Sequence, residues 1–376
     1  MDVPCARVGG GQMSVNGQPQ RLVFRADASS NIGTGHVMRC LTLADALRAS
    51  GADSLFLCRP MEGDLIGAIR ARGHRVRALP ECAPHVAADW TGEDQVGDAE
   101  CCSSALAHEP KADWFVVDHY GLDYIWESMM RPFCRRLMVI DDLADRAHDC
   151  DLLLDPGLGR CEADYADLLP PTATRLLGPQ HALLRPEFAA HRTESLARRV
   201  TPDLKRILVT LGGSDGENVT CKVLDALDSA PLPAGVEITV VMGPSAPWLD
   251  AVRLRASAMR APTLVLSGVS NMARLMTDSD LAIGAAGSTA WERCCLGLPS
   301  IQMVLADNQR EIANTLQASG AAPNLASAEE ITPFLTHRLT SGSLTRWLRD
   351  VSNASAGIVA GDGVDYVRAW MEGQDA

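Results

Sequence analysis

Apolar and amphipathic segments alternate along this chain with a regular beat. Arg21-Leu22-Val23-Phe24-Arg25-Ala26 reads as a strand. His36 to Ser50 carries Val37, Leu41, Leu43, Ala44 and Leu47 at helical spacing, and Gly51 ends it. Ser54 to Cys58 reads as the next strand, Asp64 to Arg72 as the next helix, and His74 to Leu79 as a third strand. Trp114 to Asp118 and Leu137 to Asp141 are short apolar runs that end in aspartate. Such runs fit strands buried on both faces of a parallel sheet, with functional groups at their carboxyl ends. A polar, arginine-rich stretch from Pro179 to Lys205 interrupts the beat, and Arg206 to Leu211 restarts it with strand, glycine loop and a helix from about Asn218 to Leu227. Val236 to Met242, Thr263 to Leu266, Leu281 to Gly284 and Ser300 to Val304 follow as strands, and a helix near Val364 to Met371 closes the chain. Two successive series of this kind predict an α/β protein of two doubly wound, Rossmann-like domains with a cleft between them. The expected division is a polar extension over 1–20, an N-terminal domain over 21–190, a linker over 191–204 and a C-terminal domain over 205–376.

The length of 376 residues agrees with two domains, since single cores rarely grow past roughly 250–300 residues. A net charge of −13 argues against a nucleic-acid partner, which needs a basic face. It leaves room for a small phosphorylated ligand held by a few local groups. No stretch approaches the roughly 20 uninterrupted apolar residues that span a bilayer, and Met1 to Gln20 lacks the basic end and apolar core of a signal peptide. The 12 cysteines form no C-x-x-C pair. Cys101-Cys102 and Cys294-Cys295 are adjacent, a poor geometry for bridging, while Cys40, Cys58 and Cys221 sit inside apolar patterns. These features predict a cytoplasmic protein with reduced thiols, no zinc site and no membrane insertion.

Four segments carry candidate chemistry. Asn31-Ile32-Gly33-Thr34-Gly35-His36-Val37-Met38-Arg39 lies at a strand-to-helix turn, where glycines let the backbone approach a ligand. Met38 breaks the G-x-G-x-x-G dinucleotide pattern. His36 suits a general base at the cleft, or is a helix-start histidine bonded to its loop. Leu211-Gly212-Gly213-Ser214-Asp215 forms either an anion-binding nest or an ordinary tight turn. In Ile283 to Glu292, Ser288 or Thr289 can cap a helix whose first amides meet a diphosphate. Glu292 can accept from both ribose hydroxyls or simply compensate the helix dipole. Asp307-Asn308-Gln309-Arg310 offers amides to sugar hydroxyls or an N-acetyl group, or is a polar capping loop. Asp142 with Asp145 has no accompanying ligand cluster that would argue for a metal, and Asp149-Cys150-Asp151 leads into Leu152-Leu153-Leu154, which suits the start of a buried strand at the end away from the ligand cleft.

Taken together, these segments resemble the UDP-2,4-diacetamido-2,4,6-trideoxy-β-L-altropyranose hydrolases of pseudaminic acid biosynthesis. The resemblance runs through Arg25-Ala26-Asp27-Ala28-Ser29, Gly33-x-Gly35-His36-Val37-Met38-Arg39-Cys40, Asp118-His119-Tyr120, Ile140-Asp141-Asp142 and Leu177-Gly178-Pro179. It resumes at Gly212-Gly213-Ser214-Asp215, Ala286-Gly287-Ser288-Thr289-x-x-Glu292 and Asp307-Asn308-Gln309, covering residues 21 to 325. That family is similar to two-domain GT-B glycosyltransferases such as the one that adds N-acetylglucosamine to the peptidoglycan lipid precursor. The resemblance implies a GT-B-like fold and inverting hydrolysis of a UDP-sugar, with the histidine matching His36 as general base. It implies that residues matching Gly213, Ser214, Ser288 and Glu292 hold UDP, and that Tyr120 and Asn308 touch the sugar. Arg25, Asp27, Gly35, Arg39, Gly287, Thr289 and Gln309 complete the expected substrate-binding set, with no cofactor and no metal. The alternatives are a glycosyltransferase on the same scaffold and a non-catalytic nucleotide-sugar binding protein. The extension before residue 21, the segment from Pro80 to Ala107 and the long C-terminal part depart from the family pattern.

Overall fold

The computed structural model describes residues 19–80, 94–213 and 215–373. Ser214, most of the 1–20 extension and 81–93 of the expected insert lie outside the described residues. The first sheet contains β1 (Arg21–Ala26), β2 (Asp53–Cys58), β3 (Arg75–Ala78), β4 (Ala112–Asp118), β5 (Cys134–Ile140), β6 (Leu152–Asp155) and β7 (Thr174–Leu177). The second contains β8 (Arg206–Thr210), β9 (Glu237–Met242), β10 (Thr263–Ser267), β11 (Leu281–Ala285) and β12 (Ser300–Met303). Their orders are β3-β2-β1-β4-β5-β6-β7 and β10-β9-β8-β11-β12, with every pair parallel. This is the predicted pair of doubly wound sheets. Of the strands in the first sheet, β7 had no strand signal in the sequence.

Both faces of each sheet are covered, which is why the strands read as continuous apolar runs. In β1, Leu22, Phe24 and Ala26 enter one core and Val23 the other, following the two-residue period of a strand. Phe24 stacks on Phe56 across the β1–β2 register, ring centroids 4.7 Å apart. In β1 and β4 the last register pair is Ala26 with Asp118, so the loops that follow these strands emerge side by side. The same holds for β8 and β11, where Thr210 pairs with Gly284. In each sheet the chain reverses its winding at this junction, the crevice where open α/β sheets bind ligands.

The domain boundaries differ from those expected. Most of 191–204 is not a linker but belongs to the helix Pro186–Arg198, started by Pro186 at its first position. Phe188, Arg192, Ser195 and Arg199 recur at helical spacing along its inner face. Phe188 joins the core around Trp291, Ser195 Oγ donates to the carbonyl of Leu296 at 2.7 Å, and Arg199 donates to the carbonyl of Met276 at 3.0 Å. The helix is thus part of the second domain. The closing helix Gly363–Met371, expected in the C-terminal domain, instead crosses back to the first. Val364, Val367 and Met371 enter the core beside Leu22 and Phe24, and Trp114 Nε1 donates to the Met371 carbonyl at 3.1 Å. An amphipathic helix shows its apolar stripe in sequence, but not which sheet the stripe will cover.

No helix among the described residues is long and apolar enough to cross a membrane. The ten described cysteines form no disulfide. Ending the chain after Asp362 uncovers Val364, Val367 and Met371, and burial of such side chains contributes about 1.5–3 kcal/mol each. The shortened protein is expected to lose upward of about 4 kcal/mol, read from the urea midpoint; an unchanged midpoint would show that the first core does not need this helix.

Candidate active site

His36 sits in the first turn of the helix Gly35–Ala49, on the loop that leaves β1. Asp118 is the last residue of β4, the strand beside β1. Their adjacency follows from the sheet order, which places a helix start and a strand end together although 82 residues separate them. His36 Nδ1 lies 2.5 Å from Asp118 Oδ1. Arg39, one turn along, grips the same carboxylate with Nε at 2.5 Å from Oδ2 and Nη2 at 2.7 Å from Oδ1. Its Nη1 donates to Asp142 Oδ2 at 3.0 Å. Burial alone would raise the Asp118 pKa, but Arg39 and His36 overcome this and hold it well below the usual carboxylate range. An ionised carboxylate fixes the Nδ1 proton between the two groups, so Nε2 is the basic nitrogen of the neutral ring.

Tyr120 packs edge-on against His36, ring centroids 4.6 Å apart. Burial, and then Asp142, raise its hydroxyl pKa far above the ordinary value, keeping it protonated. From the other domain, Asn308 Nδ2 donates to the Tyr120 hydroxyl at 3.2 Å. Two residues expected on one sugar thus meet across the cleft. Gly35 and Ser288 face each other in the same way: a Cβ added at Gly35 would stand 3.2 Å from Ser288 Oγ. Thr34 lies close to Gly213, its Cγ2 3.5 Å from where a Cβ on that glycine would be. The first turn of one domain therefore confronts two glycine loops of the other.

In the second domain, Gly213 is locked by its carbonyl, which accepts from Gly243 N at 3.1 Å. A Cβ at Gly243 would overlap that oxygen, so only glycine fits there. Asp215, at φ +46°, accepts from the amides of Val219 and Thr220 at 2.8 Å each. Its carboxylate caps the helix Val219–Ser229 and occupies donors that an anion would otherwise meet. Thr289 follows Ser288 at the head of Thr289–Cys295. Glu292, one turn on, is partly exposed, with Arg185 Nη2 3.5 Å away. Burial pushes its carboxyl up to about 7, against the opposing pull of Arg185 and Arg293. Gln309 reaches toward Gly287, its Nε2 lying 3.8 Å from where a Cβ on that glycine would be, and its Oε1 accepts from Leu305 N at 3.0 Å.

Arg25 and Asp27, expected against the substrate, are 0% and 1% exposed. Arg25 donates to both oxygens of Asp98, at 3.1 and 2.8 Å, and pairs with Asp27 at 2.8 Å. Arg59 and Trp126 Nε1 also donate to Asp98. Asp27 accepts from Arg59 N at 2.7 Å and lies 3.6 Å from His119 Nε2. Burial, and then Arg25, bring the His119 pKa down to about 3, so its ring is neutral. Its Nδ1 accepts from Gly121 N at 3.0 Å. This network braces from behind the turn that carries Asp118 and Tyr120.

Asp118, absent from the expected site set, proves to be the partner of His36; its sequence signals were an apolar run ending in aspartate and its place in the Asp118-His119-Tyr120 motif. Arg185 and Asp142 likewise join the site without having been singled out as ligand-binding. Asp149 and Asp151 both pair with Arg131, at 2.7 and 2.5 Å, at the start of β6 and away from the cleft. No group of three or more potential ligands able to hold a metal occurs among the described residues.

Asp98→Asn removes the charge that answers two buried guanidiniums. Breaking such a network costs about 3–5 kcal/mol, measurable by urea unfolding at pH 7. Arg25 and Arg59, outweighing burial, lower the Asp98 pKa. Its stabilisation is therefore fully present above the unfolded carboxyl pKa near ~3.9. The gap between wild type and variant should shrink as pH falls below that value; a constant gap would exclude Asp98 ionisation as its source.

No protein-family model matches the chain. It is 26% identical over 300 residues to the UDP-2,4-diacetamido-2,4,6-trideoxy-β-L-altropyranose hydrolase of Campylobacter jejuni, a match spanning 80% of this chain and 97% of that protein. It is 34% identical over 152 residues to the spore coat polysaccharide biosynthesis protein SpsG of Bacillus subtilis, spanning 40% of this chain and 44% of that one. To the uncharacterized protein MJ1062 of Methanocaldococcus jannaschii it is 27% identical over 296 residues, 77% and 57% of the two chains. The chain thus matches about half the length of SpsG and MJ1062. Among solved structures it is similar to MurG of Acinetobacter baumannii, with a TM-score of 0.65 and 15% identity over 94% of this chain and 100% of that one. The spinosyn rhamnosyltransferase SpnG follows at 0.60 and 18%, over 93% and 99%. These neighbours share the two-domain GT-B fold.

Proposed function

We propose that this chain, a homologue of the Campylobacter UDP-diacetamido-trideoxy-altropyranose hydrolase built on the GT-B fold, hydrolyses a UDP-linked acetamido sugar by direct attack of water on the anomeric carbon. The observation that carries the reading is the His36–Asp118 dyad, facing the Tyr120–Asn308 contact between the domains. Water enters beside His36 Nε2, which takes its proton as the oxygen bonds to the anomeric carbon. The bond from that carbon to the diphosphate breaks, its electron pair leaves with UDP, and the centre inverts. Asp118, held ionised by Arg39, orients the ring and stabilises the imidazolium as it forms, as in a catalytic triad.

The loops around Gly213 and Ser214, and around Gly287, Ser288 and Thr289, are suited to the diphosphate, with Glu292 toward the ribose. Tyr120 and Asn308 are suited to the sugar, whose acetamido groups need both donors and acceptors. The structural neighbours support a second reading, transfer to an alcohol instead of water. One measurement separates the two. A panel of UDP-sugars is incubated in buffered water with EDTA, and UDP and free sugar are followed together. Equal release of both supports hydrolysis; turnover only when an alcohol acceptor is added would replace it with transfer.

His36→Asn keeps the size and polarity of the side chain but removes the basic nitrogen. Turnover should fall by about 10²–10⁴-fold with UDP affinity retained, and near-normal turnover in the folded variant would rule out His36 as the base. Glu292 accepts ribose hydroxyls best when ionised, and its carboxyl titrates at about 7. Between pH 6 and pH 8 the UDP affinity of wild type relative to Glu292→Gln should therefore rise about tenfold. Taking the ratio cancels the nucleotide's own titration, and a flat ratio in calorimetry would remove Glu292 from the ribose site.

A further inference from the structure

Arg293 follows Glu292 in the helix Thr289–Cys295 and is only 2% exposed. Its Nη2 donates to the Ala285 carbonyl at 2.8 Å and its Nη1 to Thr289 Oγ1 at 3.3 Å. Its Nε has no hydrogen-bond partner. Among the described residues no carboxylate forms an ion pair with it, since neighbouring Glu292 is directed to Arg185 instead. A guanidinium buried among neutral oxygens is costly, and burial lowers its pKa.

The other deeply buried arginines are accounted for. Arg25, Arg39 and Arg59 each pair with carboxylates. Arg199 forms no ion pair, but it reaches four carbonyls, those of Ser195, Met276, Thr277 and Ser279, by the start of β11, at the other end of the strand from Arg293. Arg293 has no such set of acceptors, and the fold makes a special place for it. A Cβ at Gly284 would stand 2.5 Å from Nη1 and 3.0 Å from the Thr210 carbonyl. The guanidinium therefore lies at the ends of β8 and β11, under the junction from which the loops at 211–213 and 285–288 depart. That junction is the switch point of the second sheet.

We propose that Arg293 is a positioning residue for the phosphates of the nucleotide, a buried counter-charge whose anionic partner arrives with the ligand. The proposal rests on the reading of these two loops as a diphosphate site. Thr289 Oγ1 accepts from Nη1 and keeps its own proton to donate outward to a phosphate oxygen. Ala285 is held from below, so the loop amides keep their directions. In a low-dielectric floor the positive charge also favours the growth of negative charge on the departing diphosphate.

Arg293→Met and Arg293→Lys are compared with wild type by calorimetry with UDP, uridine and pyrophosphate, and by urea unfolding without ligand. UDP and pyrophosphate binding should weaken about 10–100-fold in Arg293→Met, the loss of one charge-assisted contact, while uridine binding stays within about twofold. Arg293→Lys should recover part of the UDP affinity. The ligand-free Arg293→Met protein should be as stable as wild type or more so, since an unanswered charge has gone. Equal weakening of UDP and uridine, or unchanged UDP affinity in a less stable protein, would make Arg293 a structural brace and overturn the proposal. Should Arg293→Met not fold, Arg293→Lys decides by the same UDP-to-uridine ratio. Failure of wild type to bind UDP and uridine would sink the nucleotide reading alone. Pyrophosphate would then decide for Arg293: selective weakening in the variants supports it, and no binding to wild type overturns it.

Discussion

One buried carboxylate organises the first half of the cleft. Asp118 ends β4 where that strand meets β1, and it receives His36 and both arms of Arg39. Its burial would be unfavourable without these partners, and it in turn holds them at the mouth of the sheet. Because Asp118 is ionised, His36 adopts a single tautomer and Arg39 a single orientation. Arg39 then reaches Asp142, bringing the end of β5 into the same arrangement. The direction in which the His36 ring points is thus a consequence of how two parallel strands lie beside each other.

The two domains use buried arginines differently. In the first, Arg25 and Arg59 converge on Asp98, and the network supports the turn of Asp118 and Tyr120 without touching the cleft. In the second, Arg293 is surrounded by neutral oxygens under the loops that open toward the cleft. Paired charges of the first kind maintain a shape. A charge left unpaired at a switch point has a physical reason to be there only when something anionic binds above it.

The domains meet through a few polar contacts near this cleft. Tyr120 and Asn308 join at its centre, and Arg160 links Asp155 and the Asp142 carbonyl in the first domain to Glu311 in the second. The closing helix returns from the second domain to complete the first core. A chain that crosses twice holds its halves near each other, with Leu158 of the first domain packing on the second core, while the contacts facing the cleft are polar, an arrangement compatible with a ligand entering between.

Local patterns determined much of this protein. The two-residue and helical periods marked ten of the twelve strands outright and a start for β6, and the glycine turns marked the loops that line the cleft. His36, Asn308 and Glu292 stood out as candidates because polar residues at strand ends and helix starts interrupt otherwise apolar patterns, whereas Tyr120 entered through the family resemblance. Only the tertiary structure decided which of these groups meet. Asp118 became the partner of His36 through strand order, and Arg25 turned inward because Asp98, 73 residues away, provides its counter-charge. The allegiance of the helices Pro186–Arg198 and Gly363–Met371 was likewise set by the free core surface they cover. Arg293 carried no signal, since an arginine in a helix reads as solvent-facing until the glycine that admits it is seen in place. Periodicity reports which face of an element is apolar; the partner of a buried charge is a property of the assembled sheet.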